Sequence, residues 1–227
     1  MSSRESTPSA HERARLAAAL EAAGPDAPTL CAGWTTRDLA AHLAVRERRP
    51  DSGPGIVVGA LSGWTDRVRR GYAARPYPDL VELVRSGPPR TSLFALPGVD
   101  EAANLTEHFV HCEDVLRGPR MLGDAGPPAA RALDPGVADA LWGALRWRAR
   151  SIARRAGAAV VLATPDGREH RAGPRSRDGA ADPPAVRLVG EPGELVLLAF
   201  GRGAHAAVRR EGDARALAAL AAADLSV

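Results

Sequence analysis

The stretch TLCAGWTTRDLAAHLAVRERRP, residues 29–50, contains a helix start, a helix face and a helix stop. Thr35 and Asp38 stand at capping-box spacing: the hydroxyl accepts from the third N–H of the helix, and the acidic side chain reaches back to the cap. Leu39, His42, Leu43 and Arg46 then recur at three- and four-residue intervals until Pro50, which cannot continue a helix. The reading is a helix of about four turns that carries a histidine beside its leucines.

Working outward, Ser9 and Glu12 predict another capping box, followed by RARLAAALEAAG with Gly24 placed to end the helix. Residues 56–74, IVVGALSGWTDRVRRGYAA, read as a third helix, and PDLVELVRSG, with Pro78 at its start, as a short connecting one. DEAANLTEHFVHCEDVLR predicts a further long helix over 100–117. Long helices with short connections predict an antiparallel four-helix bundle, whose ligand sites lie between facing helices.

The Gly/Pro-rich segment GPRMLGDAGPP, residues 118–128, breaks the pattern and predicts a bundle domain over 1–122 and a second domain over 129–227. The second part reads as helix 137–155, strand 158–164, a Pro-Asp-Gly turn, strand 169–173, strand 184–190, helix 193–202, strand 204–211 and helix 214–223. The expected fold class is therefore α+β, with a small α+β domain and a mainly antiparallel sheet behind the bundle.

Aromatic residues make up only 4% of the 227, so a core of Leu, Val and Ala in helices is expected. All 30 basic residues are arginine, and with 27 acids the net charge is +3. The arginines are interleaved with acids and form no stripe with stacking aromatics, which argues against nucleic acid as a partner. Total absence of lysine resembles codon bias in a GC-rich, actinobacterial genome. The opening MSSRESTPSA has no charged-then-apolar leader and no apolar run is long enough to span a bilayer, so a cytoplasmic protein without membrane association is expected. Cys31 and Cys112 are read as free thiols.

Glu107 and His111 are four residues apart, hence one turn apart on one helix face, and His42 on the second helix can supply a third donor. Two imidazoles and a carboxylate suit a divalent cation with an open position. Zinc comes first; nickel, manganese and ferrous iron accept the same ligands. Spacing alone leaves another face open, since His108 precedes Cys112 by four residues and His111 by three.

Trp34, Asp38, Leu39, His42 and Leu43 match a W-x-x-x-D-L-x-x-H-L motif, and Glu107 and His111 match an E-x-x-x-H motif. Both resemble the mycothiol-dependent maleylpyruvate isomerase-like family of the DinB-like metal-binding superfamily. That resemblance implies a metal held by His42, Glu107 and His111 in a DinB-like bundle, and VLATPDG with VGEPGELVLLAFGR resembles the domain that follows it. The family often has histidine at position 112 and phenylalanine at 108, so the pocket wall here departs from the pattern.

The resemblance further implies mycothiol as co-substrate and isomerisation or S-transfer on a small electrophile, the metal activating the thiol. A non-catalytic metal- or small-molecule-binding module and a metal-water hydrolase are the alternatives. Asp38 is either an acceptor behind a ligating imidazole or a helix-start residue. Trp34 is read as packing, Cys112 as a small hydrophobe, and Arg46, Glu47, Arg48 and Arg49 mostly as solvated surface, with a carboxylate-binding role as the sharper reading. Oligomeric state has no sequence signal.

Overall fold

A computed structural model describes residues 7–49, 62–89, 99–118, 126–174, 185–223 and 225. The chain divides into two compact units, Met1–Asp124 and Ala125–Val227. The first is helical: α1 (Pro8–Ala23), α2 (Thr36–Arg48), α3 (Ser62–Ala73), α4 (Tyr77–Ser86) and α5 (Val99–Arg117). The second carries α6 (Pro135–Ala156), β1 (Ala159–Ala163), β2 (Glu169–Ala172), β3 (Ala185–Val189), α7 (Pro192–Ala199), β4 (Arg209–Gly212) and α8 (Ala214–Ala222). Most of the expected break at 118–128, the start of the third expected helix at 56–61 and Pro50 lie outside the described residues. Among the described residues no helix is long and apolar enough to cross a membrane.

The capping box of α2 forms as expected, with Thr35 accepting from Asp38 N–H and Asp38 accepting from Thr35 N–H. The one expected at Ser9 and Glu12 does not form. Thr7 caps α1, accepting from Ala10 N–H, and Pro8 occupies the first turn, where its missing N–H costs nothing. Ser9 and Glu12 therefore lie inside the helix, and both are buried.

The core of the helical unit joins Leu16 and Leu20 of α1, Leu39, Ala40, Ala41 and Leu43 of α2, Leu80, Val81 and Val84 of α4, and Cys112 and Val115 of α5. Each fully buried leucine contributes about 1.5–3 kcal/mol. The expected connector α4 is thus a packed element of this core. Tyr77 fastens its start by donating its hydroxyl to Leu20 O at 2.6 Å.

In the second unit the sheet order is β2-β1-β3-β4. β1 pairs antiparallel with β2 and parallel with β3, and β3 pairs antiparallel with β4. The sheet is therefore mixed, which corrects the mainly antiparallel sheet expected. The cause lies in strand composition. All five residues of β1 (AVVLA) are buried, which demands a central place, whereas β2 (EHRA) is largely polar and suits an edge. β3 then takes the free side of β1 rather than that of β2, and a third strand of an up-down run placed there points the same way as the first.

Two boundaries also shift. β4 starts at Arg209 rather than 204, because the Ala207 N–H is taken by Glu194 Oε2 at 2.7 Å before any ladder begins. α7 ends at Ala199 rather than 202, in a turn where Gly201 adopts φ 84°.

Candidate metal centre

The three expected donors converge within the helical unit. His42 comes from the middle of α2, where leucines and alanines on either side are buried. Glu107 and His111 come from successive turns of α5. Glu107 Oε1 lies 3.5 Å from His42 Nε2 and 3.2 Å from His111 Nε2. The imidazole rings of His42 and His111 meet edge to face, centroids 5.6 Å apart. One donor atom from each of the three residues lies within 4.8 Å of the others, close enough for a single cation to hold all three.

The site is recessed but open. Side-chain exposure is 21% at His42, 24% at Glu107 and 10% at His111, so an exogenous ligand has an approach. Trp34 packs against His42 with centroids 5.1 Å apart, and the Arg69 guanidinium lies 4.9 Å over the indole. Trp34 is thus a packing residue whose packing partner is a candidate ligand. Arg46 Nε stands 3.5 Å from Glu107 Oε1, while its Nη1 donates to the carbonyl oxygen of the buried Asn104 side chain. Of the Arg46–Arg49 run, Arg46 belongs to the site. Glu47 turns into the protein against Arg13 at 2.8 Å, and Arg48 donates to Ser86.

These contacts set the charges. Burial alone pushes the Glu107 carboxyl up, but hydrogen bonds from His111 and His42, with the Arg46 charge, outweigh it and hold the group well below its ordinary range. For His111 burial pushes down, yet contacts with Asp114, Cys31 and Glu107 hold the imidazole well above its ordinary value. At His42 burial prevails and lowers the pKa. In the metal-free site the surroundings thus favour the charged forms of Glu107 and His111 and the neutral form of His42.

The other face of α5 is no part of this centre. His108 is buried, its Nε2 3.4 Å from Glu47 Oε1 and its Nδ1 3.5 Å from Ser9 Oγ. Cys112 lies in the leucine core. Asp38 keeps to its helix start, pairing with Arg69 at 2.6 Å. Two residues beside His111 escaped sequence reasoning. Asp114 Oδ2 lies 2.9 Å from His111 Nδ1, and Cys31 Sγ lies 3.2 Å from the same oxygen. The three-residue spacing from His111 to Asp114 was a readable signal; Cys31, in a loop, offered none.

The family model described as "Mycothiol maleylpyruvate isomerase N-terminal domain" matches residues 7–150, more than half of the chain. The chain belongs to this family. The expected resemblance is thereby borne out, and the match extends from α1 through the helical unit into α6. No curated protein and no solved structure matches the chain. Membership of the mycothiol maleylpyruvate isomerase N-terminal domain family agrees with a donor set of two imidazoles and one carboxylate, which fits a divalent cation with room for a further ligand. A sealed four-ligand site would call for the cysteines, and neither is among these three donors.

Proposed function

We propose that this protein is a metal-dependent enzyme in which His42, Glu107 and His111 hold one divalent cation, zinc foremost, and a small thiol, mycothiol, is the co-substrate for isomerisation or S-transfer on a small electrophile. The observation that carries this reading is the convergence of the three donors, from two helices, with side chains that remain partly exposed. Membership of a mycothiol-related family supports a small thiol as the partner. A divalent cation held by His42, Glu107 and His111 would lower the pKa of a bound thiol or water and so would supply a nucleophile at neutral pH.

The chain's own residues do the rest. Arg46 adds to the hydrogen bonds from His111 and His42 that favour the charged form of Glu107, and Asn104 holds Arg46. Trp34 packs against one side of His42. A thiolate presented at this recess adds through sulfur to an activated double bond, the electron pair moving onto the electron-withdrawing group. If the sulfur later leaves as thiolate, the double bond re-forms in the other geometry. If a proton is taken up at carbon instead, the thioether remains and the outcome is S-transfer.

Metal content per chain on untagged, mildly dialysed protein is the first test, followed by turnover of small α,β-unsaturated acids with and without thiol. Near one equivalent of divalent ion and thiol-dependent turnover is the expected result. Thiol-independent cleavage of small esters or amides would make the protein a metal-water hydrolase, and metal without turnover of either substrate type a binding module. A chain that retains no added metal would end the catalytic reading.

A further inference from the structure

Asp114 is fully buried at the C-terminal end of α5, and a carboxylate in that position must be satisfied from inside the protein. Its Oδ2 meets two groups, His111 Nδ1 at 2.9 Å and the Cys31 thiol at 3.2 Å. The loop that carries Cys31 is tied to the same turn of α5. Leu30 N–H donates to Asp114 O at 3.1 Å. Thr29 Oγ1 donates to Trp34 O and accepts from Cys31 N–H. Gly118 lets the backbones touch, since a Cβ there would fall 2.1 Å from Pro28 O. The thiol is therefore delivered by backbone contacts and not by a freely hanging loop.

We infer that Asp114, itself steadied by Cys31, is the positioning residue of the centre: it keeps a proton on His111 Nδ1, so that Nε2, on the side of Glu107 and His42, is the nitrogen that gives up its proton when a cation binds. The inference rests on the metal reading given above. An imidazole offers either nitrogen, and a ring flip would exchange the Nδ1–H donated to an anionic oxygen for a C–H. That loss of a charge-assisted hydrogen bond inside the protein selects one orientation. Cys31, His111 and Asp114 also offer atoms within 4.8 Å of one another, so a cation on the Nδ1 side is the competing arrangement.

The test is zinc affinity, read by competition with a chromophoric chelator, together with nitrogen-15 spectra of the imidazoles with and without zinc. Asp114→Ala is expected to weaken zinc by about 10–100-fold. Asp114→Asn, which keeps an acceptor of the same shape, should restore most of that loss, and Cys31→Ser should cost less than either. With zinc bound to the wild-type chain, the His111 proton should sit on Nδ1. Should Asp114→Ala fail to fold, this spectrum decides by itself, because a proton on Nε2 overturns the inference. Unchanged affinity in a folded Asp114→Ala protein overturns it too, as does zinc lost on Asp114→Ala but kept on His42→Ala. A wild-type chain that binds no zinc overturns the metal reading and this inference together.

Discussion

His108 and His111 stand three residues apart on α5, each within reach of a glutamate, and their surroundings are opposite. His111 and Glu107 face His42 across a recess that is partly open, with Arg46 and Trp34 at its edges. His108, 1% exposed, faces Glu47, 3% exposed, and Glu47 is paired with Arg13. Ligand-type residues occur on both faces. The difference is approach: a cation and its substrate need a donor set that solvent can reach, whereas a sealed pair serves packing and fold specificity. Composition and spacing cannot separate the two; burial does.

The largest expected effect breaks the comparison outright if the faces have been confused. His111→Ala and Glu107→Ala should each lower zinc affinity by more than the roughly 10–100-fold that loss of an outer partner costs. His108→Ala should leave zinc content unchanged and lower stability by about 1–3 kcal/mol, through the contacts that Ser9 and Glu47 lose. Metal analysis and chemical denaturation of the same three proteins decide it. Zinc lost on His108→Ala and kept on His111→Ala would place the centre on the sealed face.

The sealed face should show its own signature in stability. Glu47→Ala leaves the Arg13 guanidinium, 7% exposed, without its 2.8 Å carboxylate partner. Removing one member of such a buried pair costs about 3–5 kcal/mol. Denaturant unfolding should show that loss, while zinc affinity of the folded fraction stays unchanged. A weakened site without weakened stability would mean that Glu47 acts on the metal, and the contrast between faces would dissolve.

A smaller effect concerns protons. In the metal-free protein His111 titrates well above 6.5 and Glu107 well below 4.5, so the cation must displace a proton from His111 near neutral pH. Zinc affinity should therefore rise with pH until the raised His111 pKa is passed, and then level off. Calorimetry in buffers of different ionisation heat should find about one proton released per ion. For metal-free stability the sign is reversed. The raised pKa means that the His111 contribution is complete below 6.5 and is lost as pH climbs through the folded value. Thermal unfolding with and without zinc should thus diverge as pH rises across that window, and parallel curves would remove His111 from the site.

Much of this contrast was legible before the fold was seen. The start of α2 could be read because Thr35 and Asp38 act within four residues of each other, and the pairing of Glu107 with His111 because helix geometry enforces it. Spacing could not choose the face, and only the motif resemblance pointed to Glu107 and His111, since the choice depends on α1, which brings Ser9 against His108, and on α2, which brings His42 to one side and Glu47 to the other. Cys31 was invisible for a related reason: its loop has no period, and Asp114 reaches it across more than eighty positions of chain. α4 was underestimated because its length suggested a connector, although Leu80, Val81 and Val84 already stood on one face. In the sheet, strand existence followed from apolar runs, but pairing order depends on which strand needs two covered sides.

The smallest expected effect tests a residue that belongs to neither face. Asp38 lies four positions before His42, a spacing that suits an acceptor behind a ligating ring as well as it suits a helix start. Its partners are Thr35 and Arg69, at 3.3 Å from Thr35 N and 2.6 Å from Arg69 Nη1. Asp38→Ala should therefore cost about 0.5–2 kcal/mol of stability, the usual cost of a lost cap, with at most about 1 kcal/mol more from the partly exposed ion pair. Zinc affinity should not change, because His42 is oriented by Trp34 and Glu107. A fall in affinity matching that of Asp114→Ala, without the loss in stability, would instead give the two imidazoles one carboxylate each, and the centre would be held symmetrically from both helices.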